Sequence, residues 1–194
     1  MKTVGIILAR QGSKRFPNKV MVDIDGVPML GRIIERLKQT RTLDDVAVAT
    51  NEGSVDIIRY CKSNQVIYYV GSENDVLDRL YSASRFYDSD VVVRFWHDSP
   101  LIDPRIIDRI VPNFVQKGYD FAFLRGYPKG MYFNIMRFQA LETLENDISP
   151  IDRAIWNRVN EEWVWLQGGF KVNAYCCPFD FSDINFEVNT PEDL

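Results

Sequence analysis

The 194-residue chain carries 23 Lys and Arg against 27 Asp and Glu, a formal charge of -4, and 46% of its residues are hydrophobic. That is enough for one globular domain with a proper core and room for a small appendage, and the acidic balance argues against a nucleic-acid-wrapping or membrane-surface protein. No apolar run reaches the ~20 residues of a membrane span, no signal-peptide pattern opens the chain, and Cys61, Cys176, Cys177 and the single His97 suggest neither a disulfide framework nor a zinc site, so a cytoplasmic location is expected.

In chain order, Val4 to Leu8 is an apolar run that ends abruptly in ARQGSKRFPNK, a buried strand opening into a loop marked by Gly12 and Pro17. Residues 1 to 19 hold five basic side chains, Lys2, Arg10, Lys14, Arg15 and Lys19, and no acidic one. Local positive charge in an acidic chain points to a local anion. Gly12 permits close backbone approach, Ser13 offers a hydroxyl, and Arg15 and Lys19 offer a guanidinium fork and a point charge, the parts that hold a triphosphate. The plainer alternative is a loop that is basic because it is solvated. Neither G-x-x-x-x-G-K-[ST] nor G-x-G-x-x-G is present, so neither a P-loop nor a dinucleotide site is supported.

Asp23 to Pro28 reads as a turn around Gly26, followed by a helix with Leu30, Ile33, Ile34 and Leu37 on one face. Asp45 to Thr50 is a short strand, Ser54 can cap a helix carrying Ile57, Ile58 and Cys61 inward, and Val66 to Val70 makes a third strand. Such alternation is the pattern of parallel βαβ units. Ser72 begins a helix-start signature with Asp75 as its acidic partner, and that helix should end near Tyr87. Asp90 to Phe95, with three consecutive valines, belongs at the sheet centre and leaves it at Trp96-His97-Asp98-Ser99-Pro100.

Ligands in open α/β sheets bind outside the carboxyl ends of strands, so this exit and the Arg10 to Lys19 exit are expected to line one crevice, Asp98 facing the basic loop. Asp98 there suits a divalent cation bridging to triphosphate oxygens, and equally a turn with Ser99 and Pro100. His97 is placed either to act as a general base or to serve as a hydrogen-bonded structural side chain. Asp103-Pro104 starts a helix with Ile107, Ile110, Val111 and Phe114 inside, which Pro112 should kink or end early. Gly118 closes it, and Tyr119 to Arg125 makes a fifth strand. Residues 126 to 181 are dense in aromatics and mix helical with strand-like pieces; this region is expected to bind the acceptor and to form a dimer contact. NFEVNTPEDL reads as a strand returning to the body, with Thr190-Pro191 opening a last helix.

Six motifs in order, ARQGSKRFPNKV, GVPML, VAVAT, GSENDVLDRLYSA, DVVVRFWHDSPLIDP and NTPEDL, resemble the cytidylyltransferases that make CMP-activated acidic sugars, especially the spore-coat-polysaccharide branch and more distantly CMP-Kdo synthetase. The resemblance implies a three-layer, Rossmann-like nucleotide-diphosphosugar-transferase fold with a mixed, mainly parallel sheet. It also implies a magnesium-dependent attack of a sugar or sugar-acid hydroxyl on the α-phosphate of CTP or another nucleoside triphosphate, and a homodimer. Carried over by position, Ala9, Arg10, Gly12, Ser13, Arg15, Lys19 and Arg79 would bind the nucleotide, Arg15, Lys19 and Asp98 would act in catalysis, and Asp98, with Asn189 as a possible second ligand, would hold magnesium.

The chain departs from this pattern where it carries Asn189 in place of an aspartate, His97 in place of a small residue, and Tyr132 and Asn134 in place of acidic residues. His97, Tyr132 and Asn134 are accordingly candidate acceptor contacts, and Asn189 could also bind a sugar hydroxyl or cap the last helix. The departures leave two alternatives to the CTP reaction, a transferase using another nucleotide or nucleotide sugar and a silent nucleotide- or partner-binding relative. Restoring Asp at 189 is expected to improve magnesium affinity in a working site.

Overall fold

The apolar runs become strands because alternate side chains along each one enter two different helical layers. The structure, a computed structural model, describes residues 1–12, 16–158 and 161–194. In chain order its elements are β1 (Thr3–Leu8), β2 (Asp23–Ile24), β3 (Val27–Pro28), α1 (Met29–Leu37), β4 (Asp45–Thr50), α2 (Val55–Ser63), β5 (Tyr68–Val70), α3 (Val76–Phe86) and β6 (Val91–Trp96). There follow α4 (Pro104–Lys117), β7 (Phe121–Arg125), β8 (Asn134–Arg137), α5 (Phe138–Asp147), α6 (Pro150–Arg158), α7 (Glu161–Gln167) and β9 (Val172–Cys176). The main sheet runs β5-β4-β1-β6-β8-β7-β9, with β6 at its centre as expected. All neighbours are parallel except β8, which is antiparallel to both β6 and β7. β2 and β3 form a separate hairpin whose turn places Asp25 and Gly26 at φ 52° and 79°.

Period-two alternation divides the core. Ile7, Val48, Val93, Phe95 and Ile135 face one layer, where Leu30 and Ile33 of α1, Ile57 and Cys61 of α2, and Ile107 and Phe114 of α4 cover them. Val4, Ile6, Leu8, Val92 and Met136 face the other, under Leu77 and Leu80 of α3, Leu141 of α5, Trp156 of α6 and Trp165 of α7. Several of the C-terminal aromatics thus pack as core: Trp165 stacks on Phe121 with centroids 4.9 Å apart, while Phe179 and Phe181 are exposed.

Six local expectations are corrected. The cap of α3 is Asp75, whose carboxylate accepts from Asp78 N at 3.0 Å, while Ser72 Oγ accepts from Asp75 N one turn earlier. Ser54 does not cap α2 with its side chain, because Gln11 N and Asn51 Oδ1 take up its hydroxyl. β5 begins at Tyr68 rather than Val66 and β7 at Phe121 rather than Tyr119, since pairing, not residue type, sets strand ends. Of the two outcomes expected at Pro112, the early end does not occur: α4 continues to Lys117, where Gly118 closes it as expected, with the proline ring on the exposed side of the helix. The C-terminal run does not form a strand: it makes one parallel bridge, Lys129 with Asn185, then extends irregularly to a 3-10 turn at Pro191–Asp193 capped by Thr190 and Asp193.

Candidate functional site

β1 and β6 are parallel neighbours in a register that pairs Leu8 with Trp96, so both chains leave the sheet side by side. β8 runs the opposite way and therefore contributes its first residue, Asn134, at the same end. Here lies a cavity of about 560 Å³ bounded by Trp96, Asp98, Ser99, Arg125, Tyr132, Asn134, Glu162, Glu187 and Asn189. A larger cavity of about 680 Å³ lies between α1, Pro100 and the run 185–188, and Glu187 borders both. The strand exits, where ligands of open α/β sheets bind, open on the former.

The expected pairing of Asp98 with the basic loop is present. Lys19, at the start of a 3-10 turn and 5% exposed, donates from Nζ to Asp98 Oδ2 at 3.1 Å, to Val188 O at 3.0 Å and to Asn189 Oδ1 at 3.0 Å. An ammonium has three donors, so these acceptors occupy it fully. Asn189 passes the network on, its Nδ2 donating to Glu187 Oε2 at 3.1 Å. Only this orientation of the amide fits, since the ammonium cannot accept and the carboxylate cannot donate. Burial pushes the Glu187 carboxyl above its ordinary range, and the nearby Asp98 charge adds to the effect.

The remaining candidates divide. Ala9 is buried and continues the backbone pairing of β1 through a bond from its N–H to Ala49 O. Arg10 is exposed, and a Cβ built on Gly12 would meet nothing within 4 Å, so the loop has open space at that point. Ser13 and Arg15 lie outside the described residues. Arg79 is buried, with Nη1 donating to Ser72 O; burial holds its pKa below the usual value, and the neighbouring Arg10 and Arg94 charges push the same way. Its Nε has no hydrogen-bond partner among the described residues. These arginines make a cationic neighbourhood beside the strand exits.

Tyr132 and Asn134 do line the cavity, the former with its hydroxyl donating to Tyr127 O at 2.8 Å. His97 does not: its Nδ1 lies 3.0 Å from Leu8 O, tying the exits of β1 and β6 together, and burial lowers its pKa. A carbonyl can only accept, so Nδ1 carries the proton.

Two contributors escaped the sequence reading. Gln11 fixes the loop, donating from Nε2 to Asn18 Oδ1 and Asp56 Oδ2 and accepting from Asp56 N. Glu187 enters the cavity beside Asn189; their spacing of two in an extended run was the available signal.

Residues 4–147 match the cytidylyltransferase family profile. An uncharacterised protein of Methanocaldococcus jannaschii is 41% identical over 144 residues, which are 73% of this chain and 59% of that protein. The spore coat polysaccharide biosynthesis protein SpsF of Bacillus subtilis is 28% identical over 152 residues, 71% of this chain and 63% of its own length. The chain thus spans about three-fifths of these relatives. A solved cytidylyltransferase from Leptospira borgpetersenii superimposes with a TM-score of 0.89 at 30% identity, covering 100% of this chain and 83% of that one, in keeping with the expected Rossmann-like nucleotidyltransferase fold. With the family profile matched over most of its length, the chain belongs to the cytidylyltransferase family.

Proposed function

We propose that the chain transfers CMP from CTP to a hydroxyl of a sugar or sugar acid, releasing pyrophosphate, in polysaccharide or glycoconjugate synthesis. The observation that carries this reading is the meeting of a cationic loop and a carboxylate, Lys19 with Asp98, on adjacent strand exits of a cytidylyltransferase-family chain. The name of the Bacillus relative supports the polysaccharide setting.

In this reading Arg10 and Arg79, with Ser13 and Arg15, hold the triphosphate, and the open space at Gly12 lets the backbone approach it. An acceptor hydroxyl in the cavity attacks the α-phosphorus. The new oxygen–phosphorus bond forms as the bridge to the β-phosphate breaks, pyrophosphate leaves with the bonding electrons, and the hydroxyl proton passes to solvent. Such transfer depends on positioning and charge stabilisation, which fixed cations beside the leaving group supply. Lys19 holds Asp98 and Asn189 in place and adds positive charge near the transfer.

Magnesium fits the donor set. Asp98 Oδ1 has no hydrogen-bond partner among the described residues, and magnesium is commonly held by one or two carboxylates together with substrate phosphates. Bound by Asp98, it would neutralise charge on the phosphates. Asn189 offers it little, because Lys19 occupies its oxygen.

The test is thermal unfolding with CTP, UTP, ATP or GTP, with and without magnesium. CTP at 100 times its dissociation constant should add about 2.7 kcal/mol only when magnesium is present, and the chain should then release pyrophosphate with a suitable sugar. Absence of a shift with every triphosphate would overturn the reading.

A further inference from the structure

We propose that the acceptor side of the crevice selects a polyhydroxy compound without a carboxylate, neutral or bearing a protonated amine, and that Glu187 makes the selection. The inference rests on the nucleotidyl-transfer reading for the reaction, and on the cavity wall for the acceptor's charge.

The cavity of about 560 Å³ is of a size to admit a monosaccharide-sized ligand, and neither Arg10 nor Arg79 lines it. Its carboxylates differ in how they are balanced. Asp98 is paired with the Lys19 ammonium. Among the described residues Glu187 accepts from a neutral donor, the Asn189 amide, and forms no salt bridge, Lys19 acting on it only through space. A half-buried carboxylate with no direct cationic partner among the described residues directs much of its field into the cavity.

Tyr132 lies in the same field: burial raises its phenol pKa, and the Asp180, Glu187 and Glu162 charges add to the shift. Because its proton goes to Tyr127 O, its oxygen faces a ligand as an acceptor. Among the described residues the basic one on the wall, Arg125, is exposed, with its guanidinium 5.1 Å over the Phe123 ring. Beside donors such as Ser99 and Arg125, the wall therefore sets Glu187 and the Tyr132 oxygen as acceptors for hydroxyl or ammonium donors, and a carboxylate brought against Glu187 would meet like charge.

NMR titration of the full chain tests this with three sugar sets: glucose and inositol; glucosamine and galactosamine; glucuronate, galacturonate and N-acetylneuraminate. Each is added with and without CTP and magnesium, and the nucleotide-induced melting shift is read on the same samples. The tightest ligand should come from the first two sets, with the acids weaker by about tenfold or more. Glu187→Gln should weaken the amino sugars by about fivefold and narrow their margin over the acids. An acid binding tightest, or no binding by either of the first two sets, overturns the inference; a CTP shift retained in that case leaves the reaction standing. The expected charge ranking without any CTP shift would support the wall's selectivity and overturn the reaction instead.

Discussion

Asn189 stands where the family resemblance calls for an aspartate, and its surroundings show why an amide belongs there. One end accepts from Lys19 and the other donates to Glu187, at 3.0 and 3.1 Å. An aspartate could do only the first and would set a carboxylate against a carboxylate. Asn189→Asp is therefore expected to lower stability by about 1 to 3 kcal/mol in urea unfolding near neutral pH. An unchanged midpoint, or a gain in magnesium affinity, would show that the amide is incidental. His97 gives a second test. Its pKa is lowered from 6.5 by burial, so the unfolded chain binds the proton more readily than the folded one. The neutral ring's contribution is then fully present above pH 6.5 and is lost as the pH falls below it. Between about pH 7 and 5 the melting temperature should fall more steeply for the native chain than for His97→Gln, and equal slopes would refute the assignment.

The run from Asn185 to Asn189 is the element that finishes the site, although it pairs through a single bridge. It is pinned instead by Phe186 N to Lys129 O, Val188 N to Asp98 O, and the Lys19 bond to Val188 O. Gly130 makes its close approach possible. It adopts φ 86°, and a Cβ there would lie 2.8 Å from the Phe186 carbonyl carbon. Gly130→Ala should therefore push the run away, displacing Glu187 and Asn189 together. The expected result is a loss of about 2 to 4 kcal/mol, from strain and backbone overlap, with weakened acceptor binding. Retained stability and binding would mean that the run is held from elsewhere.

Across the whole molecule, the two helical layers decide which groups meet solvent. Cys61 lies in α2 against the sheet, and burial raises its thiol pKa to about 11, whereas Cys176 at the end of β9 is exposed. At about pH 8 a thiol reagent should modify Cys176 in the native chain and reach Cys61 only on unfolding. Early reaction at Cys61, shown by peptide mapping, would mean that α2 opens independently. Among the described residues no helix is long and apolar enough to cross a membrane.

Period and punctuation in the sequence sufficed to identify the α/β class, the helix faces and the basic strand exit. Leu30, Ile33 and Leu37, or the valines of β6, carry their burial in their spacing. Strand ends were less legible, because partners distant in sequence set them. The site was legible only in part. Asp98 and Lys19 were identifiable by type and position, but their bond spans 79 residues, and Lys19 reaches Asn189 across 170. That His97 would hold β1 instead of lining the cavity was decided by the pairing of β1 with β6, and that Lys19 would be occupied by Val188 and Asn189 as well as Asp98, and that Glu187 would enter the cavity, only when the terminal run folded back over Gly130. Local sequence determines backbone preference and which faces are apolar, whereas a buried charge takes its role from whichever groups the topology brings within hydrogen-bond reach.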